Sequence, residues 1–526
     1  MTKYLLKRLI RGLISVVIVV VIVMALVYSL IDRNFIFKGD SQITKQLAND
    51  KVVYKYNQWE KYGYLENLTY ADFLTRLVES GEISSAERNQ AVNFGETADD
   101  DTPLVKNYVE KFNIYCAQNG YKVVRLDAVY TGTKIAKGGA QRLFAYKEFS
   151  TFKRMLNYFK NLFEVDSIHY VEDDDQLVGA RGIKFTWYDP AYGGKKFSPA
   201  IIGNGTKHKY LLYFDNRFPF IHQNIVTINL GTSYAVNTGV DAFETMTQTQ
   251  GSNLQSLVTY PTGYQEMTSD NLHETTFAKD SLAKGGVFSA ERFTDNYTNV
   301  GTVRHSLSRV GFSFIIGILS SILAYLLGVP LGIMMARNKG KILDKLGTMY
   351  IVFIIAVPSL AYIFIFRAIG MKMGLPGRFD IDSTSKLMYI LPIISLALPS
   401  VAGLMNWLRR YMIDQQNSDY VKFARSGGLS EREIFNKHIL KNAIIPLVHN
   451  IPGTILGAVV GAIITETVYA VPGTGRMLTE AINVYDNAVI VGLTMFYALL
   501  SVVSLILGDI LMSMVDPRIS FSDKAR

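Results

Sequence analysis

Asp419–Pro446 reads DYVKFARSGGLSEREIFNKHILKNAIIP, a polar stretch set between two long apolar runs. A helix ending near Ser426 can close on Gly427 or Gly428, because glycine enters the left-handed region without a Cβ clash. A second helix can start at once. Ser430 is placed as its N-cap and Glu433 as the N3 partner of a capping box, while Leu429 and Ile434 hold the N′ and N4 positions of a hydrophobic staple. Lys422, Arg425, Arg432 and Lys437 crowd the bend. The expected object is a rigid two-helix knob that projects from a membrane and suits a socket on another protein. By composition alone, a basic inside loop with a turn is the plainer reading.

Outward from this loop, apolar runs of spanning length occur at Leu9–Ile31, Val310–Ala336, Leu346–Phe366, Leu387–Leu408, Ala443–Tyr469 and Ala488–Val515. A bilayer core about 30 Å thick takes roughly 20 helical residues, so six transmembrane helices are expected. Six spans put both termini on one side. With the N-terminus inside, segments 1–11, 336–346, 409–442 and 516–526 hold 18 Lys+Arg, and the two short outside loops hold five. The positive-inside rule then predicts cytoplasmic termini and exports residues from about 33 to 303. The first run is long for a signal peptide and lacks a small-x-small cleavage site, so it is expected to remain as a span. Prolines at 330, 358, 392, 399, 446 and 452 are expected to act as kinks.

The overall charge of +9 is uneven: residues 33–300 carry 29 Lys+Arg against 31 Asp+Glu, and the remainder 25 against 14. The basic excess lies between apolar runs, where membrane orientation explains it, so no nucleic-acid partner is expected. A single cysteine, Cys116, excludes an intramolecular disulfide and reads as a small buried hydrophobe. The histidines show no metal-ligand spacing, and no metal is expected.

The exported segment is predicted to be an α/β domain with its own core. Helices are expected at Tyr70–Ser80, from Ser84-x-x-Glu87 onward, and at Tyr146–Phe163, with strands at Gly182–Tyr188 and Lys209–Phe214. The acidic run Glu172–Asp175 lacks the ligand spacing of a calcium loop and reads as a solvated turn. No nucleophile–base motif occurs there, so docking is expected rather than catalysis.

Ala424-Arg425-x-x-Gly428, followed by a helix leading to Ile444-Ile445-Pro446, resembles the EAA loop of ABC importer permeases. Further blocks resemble the oligopeptide and dipeptide branch of that family: YLLKRLI at 4–10, NLGTSY at 229–234, GVPLGIMMARNKGKILDK at 328–345, ETVYAVPGTGRML at 466–478, and the terminal Asp516-Pro517-Arg518. Phe423 and Arg425 depart from the literal EAA letters, and residues from about 33 to 215 are an insertion that many members lack. A large external insert after the first helix resembles the Ami-type importers of Gram-positive bacteria.

The resemblance implies an α-helical membrane protein of the type I importer permease fold. Residues 1–32 would hold the N-terminus and first helix, 33–303 an inserted extracellular domain, and 304–526 the remaining spans with an ATPase-coupling loop at 409–442. Ala424, Arg425, Gly427, Gly428, Leu429, Ser430 and Glu433 would form the contact with the ATPase. The implied partners are a second, homologous permease, two ATPase subunits, membrane lipid, and a lipid-anchored extracellular peptide-binding protein, with an oligopeptide carried across the plasma membrane. Nickel and opine transporters belong to the same broader family.

No GxxxxGK[ST] phosphate loop occurs in the sequence, so the chain is not expected to be an enzyme. ATP and magnesium would sit on partner ATPase subunits, and no cofactor on this chain. Asn406, Asn450, Glu466 and Asp509 are costly to place in lipid and should face other helices or a pathway. Asn406, Asn450 and Glu466 are the candidates for a pathway or gate, with Arg476 the plainer partner for Glu466. An ion-coupled transporter would call for repeated halves and midplane ionisable groups, which the sequence does not display. An extracellular receptor would instead make the external domain the working part.

Overall fold

Two solvents shape this chain, and in a computed structural model describing residues 2–92, 94, 102–215, 220–278 and 297–515 it divides accordingly. A helical membrane core carries a mixed α/β domain. The terminal Asp516-Pro517-Arg518 block lies outside the described residues. Helix α1 (Thr2–Leu30) is 29 residues long, about 43 Å at the helical rise.

The α/β domain follows and has two lobes. In the first, α2 (Ala48–Lys61), α3 (Tyr70–Glu79), α4 (Ser85–Ala91) and α5 (Pro103–Asn119) accompany β1 (Leu65–Thr69), β2 (Lys122–Leu126) and the small β3 (Tyr130–Thr131) and β4 (Lys134–Ile135) pair. β5 (Arg142–Glu148) is the central strand of an antiparallel sheet ordered β1-β5-β2. Each of α3, α4 and α5 starts at a hydroxyl cap: Thr69, Ser84 and Thr102 accept from the amides of Asp72, Glu87 and Val105. Phe73, Leu74, Phe112, Leu143 and the fully buried Cys116 share one core.

The second lobe begins with α6 (Thr151–Lys160) and β6 (Phe163–Val165). It contains β7 (Gly182–Tyr188), β8 (Phe197–Asn204), β9 (Tyr210–Phe214) and β10 (Ile221–Gln223) in the order β10-β9-β8-β7. β11 (Val226–Ile228) pairs with β6, and α7 (Ala242–Thr247) precedes two ribbons, β12 (Ser256–Thr259) with β13 (Gln265–Thr268) and β14 (Asp270–Phe277) with β15 (Tyr297–Thr302). The helix expected over Tyr146–Phe163 is shorter than its pattern. Residues up to Glu148 are held as a strand between two partners, and Ser150 caps the helix start by accepting from Lys153 N. Glu172–Asp175 leads into a short 3₁₀ turn, with Arg181 Nε 2.9 Å from Asp174.

The membrane core comprises α8 (Arg309–Arg337), α9 (Ile342–Ala356), α10 (Ser359–Lys372), α11 (Ile390–Gln416), α12 (Asp419–Ser426), α13 (Glu431–His449), α14 (Ile451–Tyr469), α15 (Thr474–Val484) and α16 (Asn487–Val515). Among the described residues four helices are long and apolar enough to cross a membrane alone; six spans result if each of two bent pairs counts as one. The run Leu346–Phe366 is not one straight span: α9 and α10 meet at 113°. Pro358 offers no N–H to continue α9, and it holds Val357 extended at φ −86°, ψ 128°. Pro330 and Pro399, in contrast, remain inside α8 and α11. The second bend, 44°, separates α13 from α14 at Asn450, two residues before Pro452.

Small residues let α8 and α11 approach closely. A Cβ on Gly328 would lie 3.0 Å from Leu404 Cβ, and one on Gly332 would lie 3.2 Å from Leu408 Cβ and Met405 Cα, so α8 meets α11 along a G-x-x-x-G face. α1 packs antiparallel on α16: a Cβ on Gly12 would overlap Val502, and Arg8 pairs with the buried Asp509.

The α/β domain is fastened to this core by a buried carboxylate. Asp486 Oδ2 accepts from Ser233 Oγ at 2.7 Å and from the amides of Tyr234, Ala235 and Val236 at 3.2, 3.0 and 3.1 Å. Asn487 Nδ2 donates to Tyr64 Oη at 3.1 Å. Leu230, Ala242 and Met246 join α1 and α16 in one apolar cluster, so the stretch after β11 packs as part of the membrane core.

Candidate coupling loop and the membrane core behind it

The loop read from the sequence forms as two helices joined at a sharp bend. α12 ends with Leu429 N donating to Ala424 O at 3.2 Å and Gly428 N to Arg425 O at 3.1 Å, the paired bonds of a Schellman closure. Gly428 takes the left-handed conformation, φ +82°, whereas Gly427 stays at φ −77°. Both halves of the capping box are present. Glu433 N donates to Ser430 Oγ at 3.3 Å, and Ser430 N to Glu433 Oε2 at 3.2 Å. The Ser430 hydroxyl, which also donates to Glu433 Oε2 at 2.9 Å, and the Ser430 amide hold the Glu433 carboxyl below its ordinary range, and the Arg425 guanidinium does the same for Glu431.

The bend has a stiff outer face and an apolar underside. Arg425 spans it with a bidentate contact to Glu431, Nε to Oε1 at 2.6 Å and Nη2 to Oε2 at 3.1 Å. Phe423 projects from the bend at 77% exposure. Beneath, Val421, Ile434, Phe435 and Ile439 pack with Ala336 of α8 and Leu408 and Met412 of α11; Leu429 joins the same cluster. Arg337 at the end of α8 lies 4.7 Å over the Phe435 ring. Ile434–Ile439 is a π-helical turn, the wider winding that often accompanies functional sites. The knob is thus seated on the ends of two membrane helices. Lys422 and Lys437 make exposed pairs with Asp419 and Glu433, contacts that add little stability.

Asn450 and Glu466 do not come together. Asn406 is half-buried on α11 and Asn450 is exposed at the α13–α14 bend, with Glu466 sixteen positions further along α14, about 24 Å by helical rise. Glu466 is fully buried. Its oxygens accept from Ser313 Oγ at 2.6 Å and from the backbone N of Arg476 at 2.9 Å. The Arg476 side chain turns elsewhere, to Glu480 at 2.9 Å and Ala470 O at 3.0 Å. A Cβ on Gly475 would sit 3.0 Å from Glu466 Oε2, and one on Gly473 would overlap that carboxylate. Thr474 extends the network, its amide 2.9 Å from Ser313 Oγ and its hydroxyl 3.0 Å from Tyr497 Oη.

Ser313, Asp486, and the Arg8–Asp509 pairing carry these contacts without a spacing signal in the sequence. Among the described residues no cluster of three His, Cys, Asp or Glu could hold a metal ion.

Residues 328–521 match the family described as binding-protein-dependent transport system inner membrane component. Over its whole length the chain is 35% identical to the oligopeptide transport system permease protein AmiC of Streptococcus pneumoniae, covering 99% of that protein. It is 32% identical over 241 residues to the dipeptide transport system permease protein DppB of Lactococcus lactis, 44% of this chain and 78% of that one. A solved MetNI methionine ABC transporter aligns over 40% of this chain and 94% of its own, at 14% identity and a TM-score of 0.32, too distant to bear on the fold. The chain belongs to the oligopeptide-permease family of ABC transport systems. It is a multi-pass membrane subunit without an enzymatic role of its own, and its class works with a second permease and with ATPase subunits.

Proposed function

We propose that the chain is one permease of an ATP-driven oligopeptide importer, whose ATPase engages the loop from Asp419 to Pro446. The observation that carries this reading is the knob closed at Gly428: Phe423 projects from it, Arg425 and Glu431 brace it, and its underside rests on α8 and α11. A push on such a knob reaches two membrane helices directly. In this reading Ala424, Arg425, Gly427, Gly428, Leu429, Ser430 and Glu433 form the coupling loop, and ATP and magnesium reside on two partner ATPases. A second permease completes the pathway.

Taking each bent pair as one span gives six, with cytoplasmic termini and residues 33–303 outside the plasma membrane, in keeping with the distribution of Lys and Arg. There the α/β domain would receive a lipid-anchored peptide-binding protein. The full-length match to AmiC, insertion included, supports an oligopeptide as cargo. Asn406 and Asn450 retain open surface for a pathway; the carboxylate oxygens of Glu466 are engaged by Ser313 and Arg476, which favours a structural role there.

Gly428→Val tests the coupling. Nothing lies within 4 Å of a Cβ at that position, so the substitution acts through the backbone alone, where a left-handed residue costs roughly 1–2 kcal/mol. The reconstituted complex is expected to lose peptide-stimulated ATPase activity while the subunit remains inserted, and Gly428→Asn, which tolerates that conformation, to keep most of it. Normal coupled uptake by the valine variant would sink the reading.

A further inference from the structure

Helix α6 is amphipathic and only half covered. Met155, Tyr158 and Phe159 pack into the cluster that contains Met24 of α1 and Met495 of α16. Phe152 and Leu156 continue the same apolar arc, yet they are 75% and 58% exposed. Lys153 and Lys160, both exposed, close that arc. The helix is held at a definite height. Tyr158 Oη is 3.7 Å from the Met495 sulfur, and the Arg154 guanidinium lies 3.8 Å over the ring of Tyr28, in the last turn of α1. α6 is therefore level with the end of α1's apolar run, the depth of a headgroup layer.

We propose that α6 is an interfacial helix: Phe152 and Leu156 enter the boundary between headgroups and acyl chains, and Lys153 and Lys160 reach lipid phosphates. Two observations name lipid as the occupant. The exposed apolar stripe of α1, Leu26 and Leu30 included, rises to the same level, so the α6 flank continues a surface that already faces the bilayer. The lysines at the edge of the arc match a layer of phosphate oxygens. The inference rests on α1 being a membrane span and not on the coupling loop.

Because the one cysteine of this chain is buried, a nitroxide placed by Leu156→Cys reports a single site once the chain is assembled in liposomes with partner subunits stripped of their own cysteines. Its ratio of oxygen to nickel-chelate accessibility is expected to be several-fold above that of a label at Phe197→Cys on β8. Adding Lys153→Gln and Lys160→Gln is expected to lower the Leu156 ratio; no change would overturn the phosphate contact. A label open to the nickel chelate places α6 in water, and one closed to both reagents places it against protein; either overturns the proposal. A label at Ile18→Cys, mid-span in α1, separates the cases, since nickel access there would instead overturn the reading of α1 as a span.

Discussion

Ser430 and Glu433 serve each other across one helical turn, and their exchange of bonds decides whether α13 begins where α12 has just stopped. Ser430→Ala removes the acceptor for Glu433 N and is expected to cost about 1 kcal/mol locally, read as a several-fold fall in hydrogen-exchange protection of amides 432–434. The sign of the pH response follows from the depressed carboxyls of Glu431 and Glu433. A group whose folded pKa is lowered stabilises above its unfolded value, near 4.3 for glutamate, and loses that contribution as pH falls through the folded value. Protection at the bend should therefore stay level from pH 8 to about 5 and decline below about 4. A decline between pH 8 and 6 would contradict this assignment.

At the scale of helices, the α8–α11 crossing depends on two missing side chains. Gly332→Leu would press against Leu408 and Met405, an overpacking expected to cost roughly 1–3 kcal/mol and to lower the thermal midpoint of the solubilised subunit. Gly403→Leu on α11, where no atom lies within 4 Å of the built Cβ, is the control and should leave the midpoint nearly unchanged. The loop was legible in the sequence because its signals are local: Gly428, Ser430 and Glu433 fall within six residues, and each acts on its own backbone. The helix breaks were not. Pro330, Pro358 and Pro399 look alike in a one-dimensional pattern, and only tertiary packing separates the proline that ends a helix from those carried inside one. The partner of Glu466 was missed for a related reason: Ser313 is 153 positions away, while Arg476, near in sequence, offers its backbone rather than its charge.

At the scale of the whole molecule, Asp486 makes the α/β domain and α16 one mechanical unit. Asp486→Asn keeps the shape but removes the charge that draws three amides and a hydroxyl. It is expected to weaken the attachment by about 1.5–3 kcal/mol, seen as lost exchange protection at amides 234–236 with the spans intact. Unchanged protection there would mean that the apolar cluster of Leu230, Ala242 and Met246 suffices.

The pairing of α1 with α16 also bears on how the chain is made. Tyr4 and Asp509 touch across 505 positions. During synthesis α1 therefore waits in the bilayer without α16 until that helix has been made, and the Arg8 contact with Asp509 cannot form before then. A nascent chain that lacks α16 holds an unclosed core, so the interval before that helix is made is when assembly factors have the most to bind and quality-control proteases the most to cut.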